Sequence, residues 1–238
     1  VTFVAGPPAG SSYGERRSSM ASEPGISDDE TGETAPSCRE GAKEAEERDM
    51  TILDMRENMN CGKSQTWFQH AASAWAEAEL GITHIGKMDT DAYLDVGILI
   101  PTLTGFAAGC PNAFGGRSWT CEKGAFCPPA GCGLPVGDDF LAYKSKDPGC
   151  WSYMQGGFYF MSVQMAREVS QPGGWWAQQS GQFRPEDCVT GNAVYNWAKD
   201  SGSCVSAIDL KGMGAIWHPD DNGKWEHSFW YPPYKHPA

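Results

Sequence analysis

The chain has 238 residues, 30 of them acidic and 18 basic, and a formal net charge of −12. This length allows one α/β domain or at most two small ones, and the negative charge argues against nucleic acid as a partner, because nucleic-acid binding depends on neutralising phosphates. The longest apolar run, residues 96–100, is far shorter than a membrane span. Since the sequence begins at Val1 rather than Met, we expect any membrane attachment to lie in an anchor outside this chain.

The N-terminal region predicts three short elements and one long insertion. Residues 1–5 are rich in β-branched side chains and predict a strand. Residues 9–37 are rich in Ser, Gly, Pro and Glu and almost lack large apolar side chains, which predicts a flexible acidic insertion. Residues 41–48 then predict a short helix, and residues 50–55 predict a buried strand.

A long amphipathic helix and a second buried strand follow. Within residues 63–80, Trp67, Ala71 and Trp75 share one helical face, which predicts a helix packed on a sheet. The apolar run at residues 82–85 predicts the strand. This alternation of strands and helices predicts a mostly parallel central sheet with helices on both faces, in which ligands bind beyond the carboxyl ends of the strands.

Two carboxylates, Asp89 and Asp91, come directly after this predicted strand. Because residues i and i+2 of an extended strand lie on one face, both can face a single divalent cation. Oxygen ligands suit magnesium or manganese, ions that also bind substrate phosphates. Taken alone, the same two residues also fit carboxylates that cap a loop at the end of a strand.

The chain contains nine cysteines, five of which lie in the Gly/Pro-rich residues 109–150. Since no Cys-x-x-Cys pair occurs, disulfides in an oxidising compartment are favoured over a zinc site. We therefore predict that residues 109–150 are a cysteine-rich insertion that is cross-linked mostly within itself. The odd total leaves at least one thiol free or paired outside the chain. The cysteines of this insertion are Cys110, Cys121, Cys127, Cys132 and Cys150.

The C-terminal third predicts alternating strands and helices. Gly156 and Gly157 lead into an aromatic strand, and the acids of Pro185-Glu186-Asp187 suit the start of a helix, where negative charge is favoured. The predicted elements are a strand at 158–162, a helix from 165, a helix at 186–199, and strands at 205–208 and 215–218.

Four segments in this order carry a resemblance to a known family. They are DMTILDMRENMNCGKS at residues 49–64, KMDTDAYL at 87–94, YMQGGFYFMS at 153–162 and PEDCVTG at 185–191. Together they resemble the β-1,3-galactosyltransferase/fringe-like family of glycosyltransferases, especially its plant and fungal hexosyltransferase-like members. The second segment resembles the family's Lys-x-Asp-Asp-Asp motif, the third its Gly-Gly-aromatic strand, and the fourth its Glu-Asp-Val segment.

The resemblance implies a single GT-A-like domain across residues 1–238 and inverting transfer of a hexose, of the galactose or N-acetylglucosamine type. It implies a UDP-sugar donor, a manganese or magnesium ion, a glycan or glycoprotein acceptor, and a location in the Golgi or secretory lumen. By position, Asp91 is a metal ligand, Asp89 binds metal or donor, Asp187 is the general base and Glu186 supports it.

Further positions follow from the same resemblance. Lys87, Gly156 and Gly157 fall in the donor-binding motifs, and His218 matches a C-terminal histidine that completes the metal site. His218 also fits an ordinary packed histidine, and Lys87 an ordinary charge at a strand edge. Tryptophans in Gly-rich loops are candidates for stacking on the acceptor. These are Trp151, Trp175 and Trp176.

The sequence departs from the family in two places. Thr90 stands where the motif has its middle acid, and strand alternation turns that position away from its neighbours. The family's first strand is not recognisable, and residues 1–6 match the following strand better. An alternative is therefore a catalytically inactive relative that serves as a structural or binding component. A secreted cysteine-rich lectin is a further alternative, against which the ordered acidic motifs argue.

Overall fold

The structure is a computed structural model of the chain. It describes residues 3–4, 45–47, 50–53, 61–77, 81–105, 110–119, 128, 149, 151, 153–182, 185–210 and 213–217. The predicted insertion at residues 9–37 and His218 lie outside these ranges. None of the helices in the described ranges is both long and apolar enough to span a membrane.

Strands and helices alternate along much of the described chain. The N-terminal half contains β1 (Phe3–Val4), β2 (Ala45–Glu47), β3 (Met50–Ile52), α1 (Lys63–Glu77), β4 (His84–Met88), β5 (Tyr93–Leu94) and α2 (Val96–Gly105). The C-terminal half contains β6 (Ala113–Trp119), β7 (Tyr153–Ser162), α3 (Val163–Val169), α4 (Trp175–Gln178), α5 (Glu186–Ser201), β8 (Ser206–Asp209) and β9 (Ile216–Trp217).

The central sheet has the strand order β4-β7-β6-β8. β7 is antiparallel to both of its neighbours, and only β6 and β8 pair in parallel. β1 and β2 flank β3, in parallel and antiparallel pairing respectively, and β5 pairs with β9 antiparallel. The α/β class is confirmed, but the prediction of a mostly parallel sheet is wrong for the strands described. The alternation of strands and helices suggested crossover connections between parallel strands. Instead, β7 lies between β4 and β6 and runs antiparallel to both.

Residues 45–47 form a strand where the sequence predicted a helix. The run has helix-favouring alanine and glutamate, but these residues pair with β3, Glu46 opposite Thr51. Intrinsic propensity differs by only tenths of a kcal/mol between such residues, roughly up to 0.7 kcal/mol, so pairing with a neighbouring strand overrides it.

β6 lies inside the stretch predicted to be a cysteine-rich insertion, yet it is an interior strand of the central sheet. Its two glycines are needed for packing. A Cβ atom on Gly115 would lie 2.3 Å from the ring of Phe160, and one on Gly116 would lie 2.6 Å from the carbonyl oxygen of Phe158. The two glycines therefore allow neighbouring strands to approach closely. Their composition had suggested a loop.

Two apolar clusters cover the two faces of the central sheet. Tyr159 and Met161 of β7 belong to the cluster that also contains residues from α1, α3 and α5. Phe158 and Phe160, which alternate with them, belong to the cluster with Leu99 of α2. Helices therefore lie on both faces, as the sequence predicted. The face of α1 that is buried includes Trp67, Phe68, Ala71 and Ala72.

Cys110 forms a disulfide with Cys204, just before β8. The prediction that Cys110 is cross-linked within residues 109–150 is therefore wrong. The disulfide joins the chain entering β6 to the chain entering β8, where Ser206 N also donates to the carbonyl of Asn112 at 2.7 Å. The other cysteines of the predicted insertion lie outside the described residues. Cys188 is a free and buried thiol, in keeping with the odd number of cysteines.

Candidate functional site

The second, third and fourth motifs meet at one edge of the central sheet, and Ser64, the last residue of the first motif, reaches the same place. β4 ends at Met88 and leads into Asp89, β7 supplies Gly156 and Gly157, and α5 begins at Glu186. The backbone N–H of Asp89 donates to the carbonyl of Gly157 at 3.1 Å, which extends the pairing of β4 and β7 by one step. The site is thus built where a strand end, a glycine pair and a helix N-terminus come together.

Lys87 lies at the centre of this site. Its ammonium nitrogen is 2.7 Å from Asp89 Oδ1 and 4.0 Å from Glu186 Oε2. The same nitrogen is 5.5 Å from the ring centroid of Tyr159 and 3.5 Å from the carbonyl oxygen of Gly156. Burial alone lowers the pKa of Lys87, but the charges of Glu186 and Asp89 outweigh it and hold the pKa above the ordinary lysine value.

Glu186 is held by a buried hydroxyl network. Ser64 Oγ donates to Glu186 Oε1 and lies 2.7 Å from the hydroxyl oxygen of Tyr159. Since Ser64 has one proton and gives it to the carboxylate, Tyr159 is the donor to Ser64. Thr190 Oγ1 donates to the carbonyl of Glu186 at 2.8 Å. Burial raises the pKa of Glu186, while the charges of Lys87 and Lys63 act in the opposite direction.

Gly156 of β7 makes room for the site. The register between β6 and β7 shifts at this point, so Gly116 pairs with Tyr159 but Ser118 pairs with Met154. β7 therefore has more residues than β6 over this stretch, as in a β-bulge. A Cβ on Gly156 would lie 3.2 Å from Asp89 Oδ2, tight enough to push the carboxylate. Glycine at this position thus lets the carboxylate approach the strand.

Asp89 and Asp91 do not sit on an extended strand together, so that premise of the sequence prediction is wrong. The strand ends at Met88, residues 90 and 91 form a turn, and the N–H of Ala92 donates to the carbonyl of Asp89 at 3.1 Å. Alternation does not operate in a turn, and Asp91 is exposed. Among the described residues, no three His, Cys, Asp or Glu side chains are grouped so as to hold a metal.

Asp187 lies on the first turn of α5, beside Glu186. Its Oδ1 accepts a hydrogen bond from the backbone N–H of Cys188 at 2.8 Å. Burial, together with the nearby charge of Asp187, raises the pKa of the Cys188 thiol. Burial raises the pKa of Asp187, against the effect of that backbone hydrogen bond and of the Lys87 charge. A carboxylate of raised pKa in a part-buried position is suited to accepting a proton.

The hydroxyl network of Ser64, Tyr159 and Glu186 was not predicted from the sequence. Ser64 and Tyr159 are 1 % and 0 % exposed, so both are part of the interior. The available signal was strand alternation, since Tyr159 lies between Phe158 and Phe160 and must face the other side of the sheet. That side carries α1 and α5, where a buried phenol needs a polar partner.

The tryptophans predicted to contact an acceptor have mostly structural positions. Trp176 packs in the core 5.9 Å from the ring of Phe68, and Trp151 is 7 % exposed. Trp175 is half-buried and packs against the same cluster. Of these three, Trp175 alone retains enough exposure to contact a ligand.

A comparison of the sequence with models of protein families finds no match, and a comparison with curated proteins finds none either.

Proposed function

We propose that the chain is an inverting, metal-dependent glycosyltransferase that moves a hexose, of the galactose or N-acetylglucosamine type, from a UDP-sugar to a hydroxyl of a glycan or glycoprotein. The protein would act in the Golgi or secretory lumen. The disulfide between Cys110 and Cys204 is compatible with that compartment.

One observation carries this proposal. Three sequence motifs that resemble the family are far apart in the chain, and their polar residues meet around Lys87. The ammonium nitrogen lies within 4.0 Å of both Asp89 and Glu186 and within hydrogen-bonding distance of the carbonyl of Gly156. Unrelated motifs have no reason to share one site, so their convergence supports a common role.

The carboxylate oxygens of Asp89 are of the type that magnesium and manganese ions bind. Asp89 offers hard oxygen atoms, its side chain is 36 % exposed, and its Oδ1 already accommodates the positive charge of Lys87. Such ions are bound through one or two protein carboxylates together with substrate phosphates and water. A second side chain, Asp91 or His218, would complete the ligands that the protein supplies. When bound, the ion supplies neutralisation of the leaving diphosphate.

The residues of this chain have distinct roles in the proposed reaction. Asp89 and Lys87 bind the diphosphate side of the donor, and Gly156 leaves room for the carboxylate of Asp89. Asp187 takes the proton from the acceptor hydroxyl as that oxygen attacks the anomeric carbon from the face opposite the diphosphate. Glu186 supports Asp187 indirectly, because its carboxylate is occupied by Ser64 and faces Lys87.

A second candidate is a catalytically inactive relative with a structural or binding role. The observation that favours it is the position of Asp91, exposed in a turn and not beside Asp89 on a strand. Loss of a ligand geometry would leave the fold intact while weakening donor binding.

Turnover of UDP-sugars tests the proposal. The purified protein is incubated with manganese, a panel of UDP-hexoses and a mixture of glycan acceptors, and released UDP is measured. We expect release with one donor that requires both acceptor and manganese. Failure of the folded protein to bind UDP contradicts the transferase and supports the inactive relative, whose donor binding is weakened.

A further inference from the structure

Lys87 lies between two carboxylates that differ in their access to solvent. The side chain of Asp89 is 36 % exposed, whereas that of Glu186 is 9 % exposed. The ammonium nitrogen is in contact with the exposed carboxylate, at 2.7 Å, and farther from the buried one, at 4.0 Å. The carboxylate that a ligand can reach therefore already has a positive charge bound to it.

We propose that Lys87 is a resident counter-ion of Asp89, and that a cation displaces it only when the cation arrives with a diphosphate. This inference rests on the proposed function, which makes Asp89 a ligand of the cation–nucleotide complex. A free cation must compete with an ammonium group at contact distance and then lie beside it. A diphosphate brings negative oxygens to which the released ammonium can bind.

The surroundings of Lys87 allow this exchange. Its backbone is fixed in β4 opposite Tyr159, and the side chain extends over the ring of that tyrosine. Glu186 is fixed by Ser64 and cannot follow the ammonium group toward Asp89. A small rotation of the lysine end moves its charge from Asp89 toward Glu186, so the buried carboxylate retains a partner throughout. The consequence is that cation and nucleotide bind as a unit.

Manganese binding without any nucleotide tests this role, with paramagnetic resonance of the free ion as readout. In Lys87→Met the competing charge is gone, and we expect manganese to bind about tenfold more tightly than in the parent protein. Lys87→Arg keeps the charge and should bind manganese as weakly as the parent. Lys199→Met, which removes an exposed lysine of α5, serves as the matched control and should leave the affinity unchanged.

A double variant covers the case in which Lys87→Met fails to fold with Glu186 left uncompensated. Lys87→Met/Glu186→Gln removes one charge of each sign and should still bind manganese more tightly, since the lysine was the nearer to Asp89. Addition of UDP should strengthen manganese binding more in the parent than in Lys87→Met.

The outcomes separate the two proposals. Manganese affinity that is no higher in Lys87→Met and in the double variant than in the parent overturns the counter-ion role, as does the absence of manganese binding in every variant. A parent that fails to bind UDP while Lys87→Met binds manganese more tightly overturns the proposed function and leaves the counter-ion role standing.

Discussion

The ammonium nitrogen of Lys87 lies 4.0 Å from Glu186 Oε2, and the two side chains are 15 % and 9 % exposed. Removing two charges from water is costly unless their remaining hydrogen-bonding capacity is used. Here Ser64 satisfies one oxygen of Glu186, and Asp89 together with the carbonyl of Gly156 receives the ammonium group. This pairing links the start of α5 to the end of β4 and thereby places both proposed functional elements.

Ser64→Ala should destabilise the protein, because it removes the hydroxyl that donates to the buried carboxylate of Glu186. An under-bonded buried charge costs about 1–3 kcal/mol in the free energy of unfolding. Denaturant unfolding measures the change. Ser73→Ala on the same helix is the matched control, since the hydroxyl of Ser73 accepts a hydrogen bond from the side chain of Gln69 one turn away, and it should change stability by less than about 0.5 kcal/mol. Equal effects of the two substitutions would refute the importance of the network.

Asp187→Asn should abolish most of the turnover while the protein still binds UDP. The substitution keeps size and hydrogen bonding but removes basicity, so kcat should fall by roughly two to four orders of magnitude. UDP binding in the presence of manganese should change little. Asp200→Asn, at the exposed end of the same helix, is the control and should retain full activity. Comparable turnover in Asp187→Asn and the parent would place the base elsewhere.

The pH dependence of turnover should have an acid limb above the ordinary range of an aspartate. Burial raises the pKa of Asp187, and a general base acts only when it is ionised. Activity is therefore present above this raised pKa and is lost as the pH falls through it. Burial also raises the pKa of Glu186, whose carboxylate likewise becomes protonated as the pH falls. A kcat profile measures the limb, and Asp187→Asn distinguishes the two groups because only the limb due to Asp187 should disappear. An unchanged limb in that variant would assign it to another group.

A peptide linked through Cys110 and Cys204 should be found by mass spectrometry of the non-reduced protein. The bond closes a sequence separation of 94 residues, so its removal by the double substitution Cys110→Ser/Cys204→Ser should cost about 2–4 kcal/mol. Cys188 is buried and free, and should react with an alkylating reagent only after unfolding. Recovery of Cys110 linked to Cys121 or Cys127 instead would support the sequence prediction that residues 109–150 are cross-linked within themselves.

The sequence predicted those elements whose periodicity is set by burial. The stripe through Trp67 and Ala71 gives the start of α1 at Lys63, and the aromatic alternation of residues 158–161 gives the core of β7. β6 was missed because Gly115 and Gly116 look like loop residues until the ring of Phe160 and the carbonyl of Phe158 lie against them. Its position between β7 and β8 depends on contacts that are remote in sequence.

The candidate site was also predicted only in part. Lys87, Asp89, Glu186 and the glycine pair were identified from motifs, and each of them lies at the same edge of the sheet. Ser64 was not identified, because a serine at the start of a helix has an ordinary local role and nothing nearby in the sequence indicates Glu186 as its partner. The prediction that Asp89 and Asp91 lie on one face of a strand was wrong, because the strand ends at Met88.

Calorimetric titration with UDP, in the presence and absence of manganese, measures whether the site at Asp89 binds UDP in a metal-dependent way. We expect UDP to bind the parent protein and manganese to strengthen this binding. Gly156→Ala should weaken the manganese-dependent part, because the added Cβ would lie 3.2 Å from Asp89 Oδ2. No binding of UDP to the folded parent protein under either condition, or binding that is indifferent to both manganese and the Gly156 substitution, would contradict a metal-dependent UDP-sugar site at Asp89.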